Sequence, residues 1–265
     1  MDAERRSHWI FLRGLVRESA HWDDFPERFT RAIAGARVHL LDLPGNGEHW
    51  RLRSPLSIGE TMEFARREAL TPLSGKSGAQ EPVYLFSLSL GSMVAIEWAH
   101  RHPRDIAGAV LVNTSLRRFS PFHQRLSWRS WPVLARTIAA RDTAQRERLI
   151  LKLTANDPAE ADALIEARVR TYKQHPVRPV NVFRQLWAAA CYRPPIEKPD
   201  IPLLLLNSLG DCLVDPACTE AIARRWAVEK KTHPFAGHDL PLDDPEWTIE
   251  AVREWFLCQG DSGCG

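Results

Sequence analysis

No apolar run in the 265-residue sequence approaches the roughly 20 residues that a membrane-spanning helix needs. Trp9-Ile10-Phe11-Leu12 is too short for the core of a secretory signal and has charges on both sides, so neither a leader nor a membrane span is expected. Charge of one sign is also missing. The 35 Lys and Arg stand against 33 Asp and Glu, and a balance of +2 supplies no global field for nucleic acid. Cysteine is sparse and odd in number. Cys191, Cys212, Cys218, Cys258 and Cys264 lack metal-ligand spacing and read as free thiols of a reducing, cytoplasmic compartment. Gly75-Lys76-Ser77 lacks the upstream glycine and the following helix that a phosphate-binding loop requires.

What the sequence does have is alternation of strand and helix. Largely apolar stretches at His8 to Leu12, Val38 to Leu41, Val83 to Phe86, Ile106 to Val112 and Leu203 to Leu206, with a last short strand at Thr232 to Phe235, predict six strands. Helical spacing follows them. Trp22, Phe25 and Phe29 recur at three and four residues; Ser57 or Thr61 opens a second helix; further helices cover Leu90 to Pro103, Thr219 to Trp226 and Trp247 to Leu257. The expected fold class is α/β, a mostly parallel sheet of about six strands with helices on both faces.

One segment breaks the pattern. Between Leu116 and Lys198 helical candidates succeed one another without a strand, and prolines at 194, 195 and 199 close the segment. The expected organisation is a core over residues 1–115 and 199–265, with 116–198 as a helical cap over the carboxyl edge of the sheet. The segment holds 16 Lys and Arg against 7 Asp and Glu, whereas the rest of the chain holds 19 against 26. A basic surface of this kind either solvates helix faces or docks an acidic partner. The segment's eight aromatic residues are read mostly as its own core, with a few along an apolar acyl site.

The most informative stretch is Val83-Tyr84-Leu85-Phe86-Ser87-Leu88-Ser89-Leu90-Gly91. A buried strand, a tight turn with Ser89 at its apex and a helix form a nucleophile elbow, usually G-x-S-x-G, here with Ser87 at the first small position. A serine hydroxyl needs a base, and the base an orienting acid, in the chain order serine, acid, histidine. Asp211 follows the Leu203 to Leu206 strand and is preferred over Asp215, which precedes Pro216 and reads as a helix cap. His238, after Gly237 and the last strand, is preferred over His233. The oxyanion donors would be the backbone N–H groups of Leu90 and of Leu15, in the loop after the first strand.

Ser87-Leu88-Ser89-Leu90-Gly91, Asp42-Leu43-Pro44-Gly45, Gly210-Asp211 and Gly237-His238 together resemble the α/β-hydrolase superfamily of capped serine hydrolases over nearly the whole chain. Three features depart from it: Ser87 for glycine, Arg13-Gly14 for the frequent His-Gly, and no sign of two leading antiparallel strands. Arg13 is a candidate for meeting a substrate carboxylate or phosphate. The resemblance implies acyl transfer through Ser89, with His238 as base and Asp211 orienting it, and with no metal or organic cofactor needed. A serine nucleophile points to a small-molecule carboxylic ester with an apolar acyl group. The alternative is a thioesterase or methyl ester esterase whose substrate rides on an acidic acyl carrier protein docked on the basic cap. A third reading is a small-molecule receptor with little turnover.

Overall fold

Four strands of the chain are apolar at all but one or two positions, and a strand can be so only where both faces of its sheet are covered. The computed structural model describes residues 6–73, 81–156 and 158–259, without the side chains of 158–161. The connector Ser74-Gly78, Asp157 and the tail from Gly260, with Cys264, lie outside it. The six strands are β1 Ser7–Leu12, β2 Ala36–Leu41, β3 Val83–Leu88, β4 Gly108–Val112, β5 Leu203–Ser208 and β6 Glu229–His233. They form one sheet in the order β2-β1-β3-β4-β5-β6, and every neighbouring pair is parallel. β1, β3, β4 and β5 are buried at every position, whereas β2 and β6 at the edges are partly exposed.

Side-chain alternation sends successive strand residues to opposite faces. Ile10, Leu12, Leu85, Leu111 and Leu205 pack on one face against α2 (Ile58–Leu70), α3 (Leu90–Arg101) and α9 (Ala217–Trp226). Trp9, Phe11, Tyr84, Phe86, Val110 and Leu206 pack on the other against α1 (Phe25–Ala32) and α11 (Pro245–Cys258). Trp22, Phe25 and Phe29 surround Phe11 with ring centroids 5.1–5.9 Å away, so the aromatic spacing marks the buried stripe. Ser57 opens α2 by accepting from the Glu60 N–H; Thr61 lies one turn inside.

β6 starts and ends three and two residues earlier than the sequence suggests. Its residues Glu229-Lys230-Lys231-Thr232-His233 carry no apolar signal because an edge strand with lysines resists pairing with other chains. A short helix, α10 Leu240–Asp243, follows His238 unannounced.

Between β4 and β5 run α4 (Phe122–Arg125), α5 (Trp131–Ala139), α6 (Thr143–Thr154), α7 (Pro158–Gln174) and α8 (Pro179–Cys191). Their own buried apolar cluster is small, centred on Leu151 and Ile165. Phe122, Trp128, Trp131, Phe183 and Trp187 are exposed, against the expectation that most aromatic residues here form a core. α8 shows the reason. Its buried residues are Asn181, Gln185 and Ala188, while Val180, Phe183, Leu186 and Trp187 face outward. The helix docks on the sheet domain through its polar side, the reverse of the usual amphipathic rule. Cys191, Cys212, Cys218 and Cys258 are free thiols. Among the described residues, no helix is long and apolar enough to cross a membrane.

Candidate active site

β3 ends in the turn that the sequence marks. Ser89 has φ 56° and ψ −114°, a conformation that a residue with a Cβ adopts only under constraint. The constraints are visible. The Ser89 N–H donates to Val112 O at 2.9 Å, and Thr114 Oγ1 donates to Ser89 O at 2.9 Å. A Cβ on Gly91 would come within 2.5 Å of Leu12 O and 2.7 Å of Arg13 O, so that position admits only glycine. Ser87 is fully buried and its hydroxyl donates to Val110 O at 2.9 Å. A partner for the hydroxyl lets serine replace the usual small residue there.

The loop after β1 crosses beside the elbow. A methyl group on Gly14 would stand 3.1 Å from Ser89 Cβ and 3.7 Å from Ser89 Oγ. Leu15 follows, and Leu90 is the first residue of α3, where backbone N–H groups have no helical partner.

Asp211 and His238 meet. His238 Nδ1 lies 2.7 Å from Asp211 Oδ2, and since a carboxylate only accepts, the imidazole donates from Nδ1. The other carboxylate oxygen accepts from the N–H groups of Leu213 and Val214 at 2.8 and 2.9 Å. Burial acts most strongly on the His238 pKa and pushes it down. The Asp211 carboxylate, by charge and hydrogen bond, with Asp239 behind it, outweighs burial and the Arg13 charge, and the net displacement is upward.

The rival residues are engaged elsewhere. Asp215 Oδ1 accepts from the Ala217 N–H at the start of α9. His233 accepts at Nδ1 from the Ala236 N–H at 2.7 Å, and its Nε2 lies 3.1 Å from Asp244 Oδ2. Arg13 is not free for a substrate anion. It is buried and forms a two-pronged pair with Asp239, Nη1 to Oδ1 at 3.0 Å and Nη2 to Oδ2 at 2.5 Å.

Gly237 takes no left-handed φ, so a sharp turn is not its reason. A Cβ there would stand 2.9 Å from Thr154 O, and the close approach of α6 is what requires glycine.

Several residues that hold this arrangement carried no sequence motif. Asn113, at φ 45°, donates from Nδ2 to His238 O at 2.9 Å and accepts at Oδ1 from the Ser208 N–H at 2.9 Å. Asn113 and Thr114 are consecutive, so one short segment after β4 grips the backbone of both Ser89 and His238. Asn156, just past α6, donates to Phe235 O at 2.6 Å and Gly210 O at 3.2 Å, joining the loops that carry His238 and Asp211. A polar residue straight after a buried strand, such as Asn113, is the sole signal the sequence offered.

The structure supplies a half-buried Ser89 on a strained turn, the loop of Gly14 beside it, and a buried histidine polarised by a carboxylate. Such a set can run acyl transfer.

Comparison with known proteins agrees on the fold. The chain is 26% identical over 225 residues to a pimeloyl-[acyl-carrier protein] methyl ester esterase of Neisseria meningitidis, covering 81% of this chain and 68% of the relative. It is also 26% identical to the esterase of that name from Aromatoleum aromaticum, covering 80% and 84%. Among solved structures, a thermophilic esterase from Thermogutta terrifontis superposes with a TM-score of 0.68 at 21% identity, covering 95% of this chain and 90% of that one. A hydrolase from Pseudomonas aeruginosa superposes with a TM-score of 0.70 at 19% identity, covering 96% and 91%. The profile of the Alpha/beta hydrolase family matches residues 9–251, and the chain belongs to that family.

Proposed function

We propose that the protein is a serine hydrolase that cleaves carboxylic esters through an acyl-enzyme on Ser89. The observation that supports this reading most is the 2.7 Å hydrogen bond between His238 and Asp211, in a fold whose β3 ends with Ser89 on a strained turn. His238 Nε2 takes the Ser89 proton as the oxygen attacks the ester carbonyl. The negative charge that develops on the carbonyl oxygen meets the N–H groups of Leu15 and Leu90. The imidazolium gives its proton to the departing alcohol, then removes one from water, and the second attack frees the acid and restores Ser89. Asp211 keeps the proton on Nδ1 and stabilises the charged ring throughout. Residues 116–198 serve as the cap over this rim.

A second reading changes the partner and keeps the chemistry: the ester or thioester rides on an acidic acyl carrier protein. It is favoured by the 26%-identical relatives named for a carrier-bound methyl ester and by exposed arginines of the helical segment such as Arg129, Arg136, Arg178 and Arg193. The test is a panel of p-nitrophenyl esters of rising acyl length beside a methyl ester presented free and on a carrier protein. Turnover of the free esters that is abolished in Ser89→Ala supports the first reading. A carrier-bound ester cleaved far faster, with the advantage fading as salt rises, supports the second. No turnover of any ester or thioester would leave neither.

A further inference from the structure

The loop after β1 holds a residue in a conformation that its side chain opposes. Val16 has φ 50°, a left-handed value that a β-branched residue adopts only where the surroundings impose it. It is the third residue of a turn closed by the Arg17 N–H donating to Gly14 O at 3.3 Å, and glycine or asparagine is usual where such a turn needs a positive φ. The residue before it is Leu15, and the turn begins at Gly14, against Ser89.

A side chain of the helical segment bonds to this turn. Gln185 of α8, buried, accepts at Oε1 from the Val16 N–H at 2.9 Å. Its amide nitrogen donates to Asn46 Oδ1 at 2.9 Å and to Ser54 Oγ at 3.1 Å. Asn46 in turn donates to Arg17 O at 3.0 Å. One side chain of α8 and one of the Asp42–Gly47 loop therefore hold the turn on both sides of the Val16–Arg17 peptide. Asn181, one helical turn before Gln185, fixes α8 against the same loop region by accepting from the Ser54 N–H at 3.0 Å and donating to Leu52 O at 2.9 Å. The polar face of α8 is buried because these bonds need it there.

We propose that Gln185 is a positioning residue for the oxyanion hole: it holds the strained Gly14–Arg17 turn so that the Leu15 N–H is aimed at the developing charge before substrate arrives. This rests on the assignment of Ser89 as nucleophile with Leu15 and Leu90 as donors. It gives the helical segment a part in the chemical step beyond covering the site. Preorganised donors act on the transition state more than on the bound ester, so their loss appears in kcat.

The test is Gln185→Met, which keeps the length of the side chain and removes its hydrogen bonds, read by kcat, KM and the Ki of a trifluoromethyl ketone whose adduct oxygen occupies the hole. Loss of a whole oxyanion donor costs about 10²–10³ in kcat, and misaiming one should cost roughly 10–100-fold, with KM within about twofold and Ki weakened in step with kcat/KM. The pH at which activity rises stays where it was, because His238 is untouched. In a Val16→Gly background, where the left-handed φ is no longer strained, Gln185→Met costs less. A change in KM alone, or the same loss in both backgrounds, would show that Gln185 only docks α8 and overturn the proposal. Should Gln185→Met not fold, hydrogen exchange of the wild-type Val16 amide decides: protection supports the proposal, and exchange at the rate of unstructured chain sinks it. Activity surviving in Ser89→Ala would defeat the nucleophile assignment itself, whereas an inactive Ser89→Ala beside a fully active Gln185→Met defeats this inference alone.

Discussion

Arg13 and Asp239 form a buried, two-pronged ion pair between residues 226 positions apart in the chain. One precedes Gly14 and the other follows His238, so the pair joins the two loops on which the proposed chemistry depends. The Arg13 guanidinium also lies over the Trp22 ring, 4.5 Å from its centroid.

Removing one partner leaves the other charge buried and alone. Arg13→Ala and Asp239→Ala are each expected to lower stability by about 3–5 kcal/mol, and the double variant by much less than the sum. Burial acts most strongly on Asp239 and would raise its pKa, but Arg13 overrides it and holds the carboxyl below the ordinary aspartate value. A depressed carboxyl contributes stability above its unfolded pKa and loses it as pH falls through the folded one. Urea unfolding measured from neutral to acidic pH should therefore show the wild type losing stability on acidification, and Arg13→Ala losing less. Additive single and double variants would contradict the pairing.

In the proposed reaction His238 can act as the base only when neutral, and its pKa is raised. The kcat/KM of an ester should accordingly rise with pH through a value above the ordinary histidine figure of about 6.5. Asp211→Asn removes the dominant opposition to burial, so the inflection should move to lower pH while kcat falls by roughly 10⁴. The same raised pKa stabilises the fold below the unfolded histidine value and ceases to do so as pH rises through the folded one. Activity and this part of stability thus run in opposite directions with pH. An inflection unmoved in Asp211→Asn would remove Asp211 from its role.

The two small positions of the elbow should respond differently. Gly91→Ala drives a methyl group into Leu12 O and Arg13 O, and activity and thermal stability should both fall sharply. Ser87→Gly deletes a satisfied hydroxyl, costs roughly 1 kcal/mol and leaves kcat near the wild-type value. Thermal melts and ester kinetics on both variants check this.

Asn156 is exposed and contributes little packing, yet it joins the acid loop to the histidine loop. Asn156→Ala should lower kcat about tenfold with little change in melting temperature, since small displacements of catalytic groups are costly. Unchanged kcat would mean that Asn113 alone keeps the two loops in register.

The central sheet was legible because β1, β3, β4 and β5 must be apolar on both faces, and the elbow was legible because Gly91 has no alternative beside the Leu12 and Arg13 carbonyls. The order of serine, acid and histidine then pointed to residues 211 and 238, which the structure brings into contact. β6 escaped because an edge strand is polar. The aromatic residues between β4 and β5 were expected inside because apolar residues at helical spacing normally mark the inward face, whereas α8 turns Asn181 and Gln185 inward. The partners of Arg13, Asn113, Asn156 and Gln185 lie 95 to 226 residues away for Arg13, Asn113 and Gln185, and 54 to 87 for Asn156, where no local pattern reaches.

The most direct measurement is covalent labelling with a fluorophosphonate followed by mass spectrometric mapping of the adduct. The account predicts a single adduct on Ser89, absent in Ser89→Ala and formed far more slowly in His238→Ala. An adduct on another residue, or equal labelling of wild type and Ser89→Ala, would contradict it.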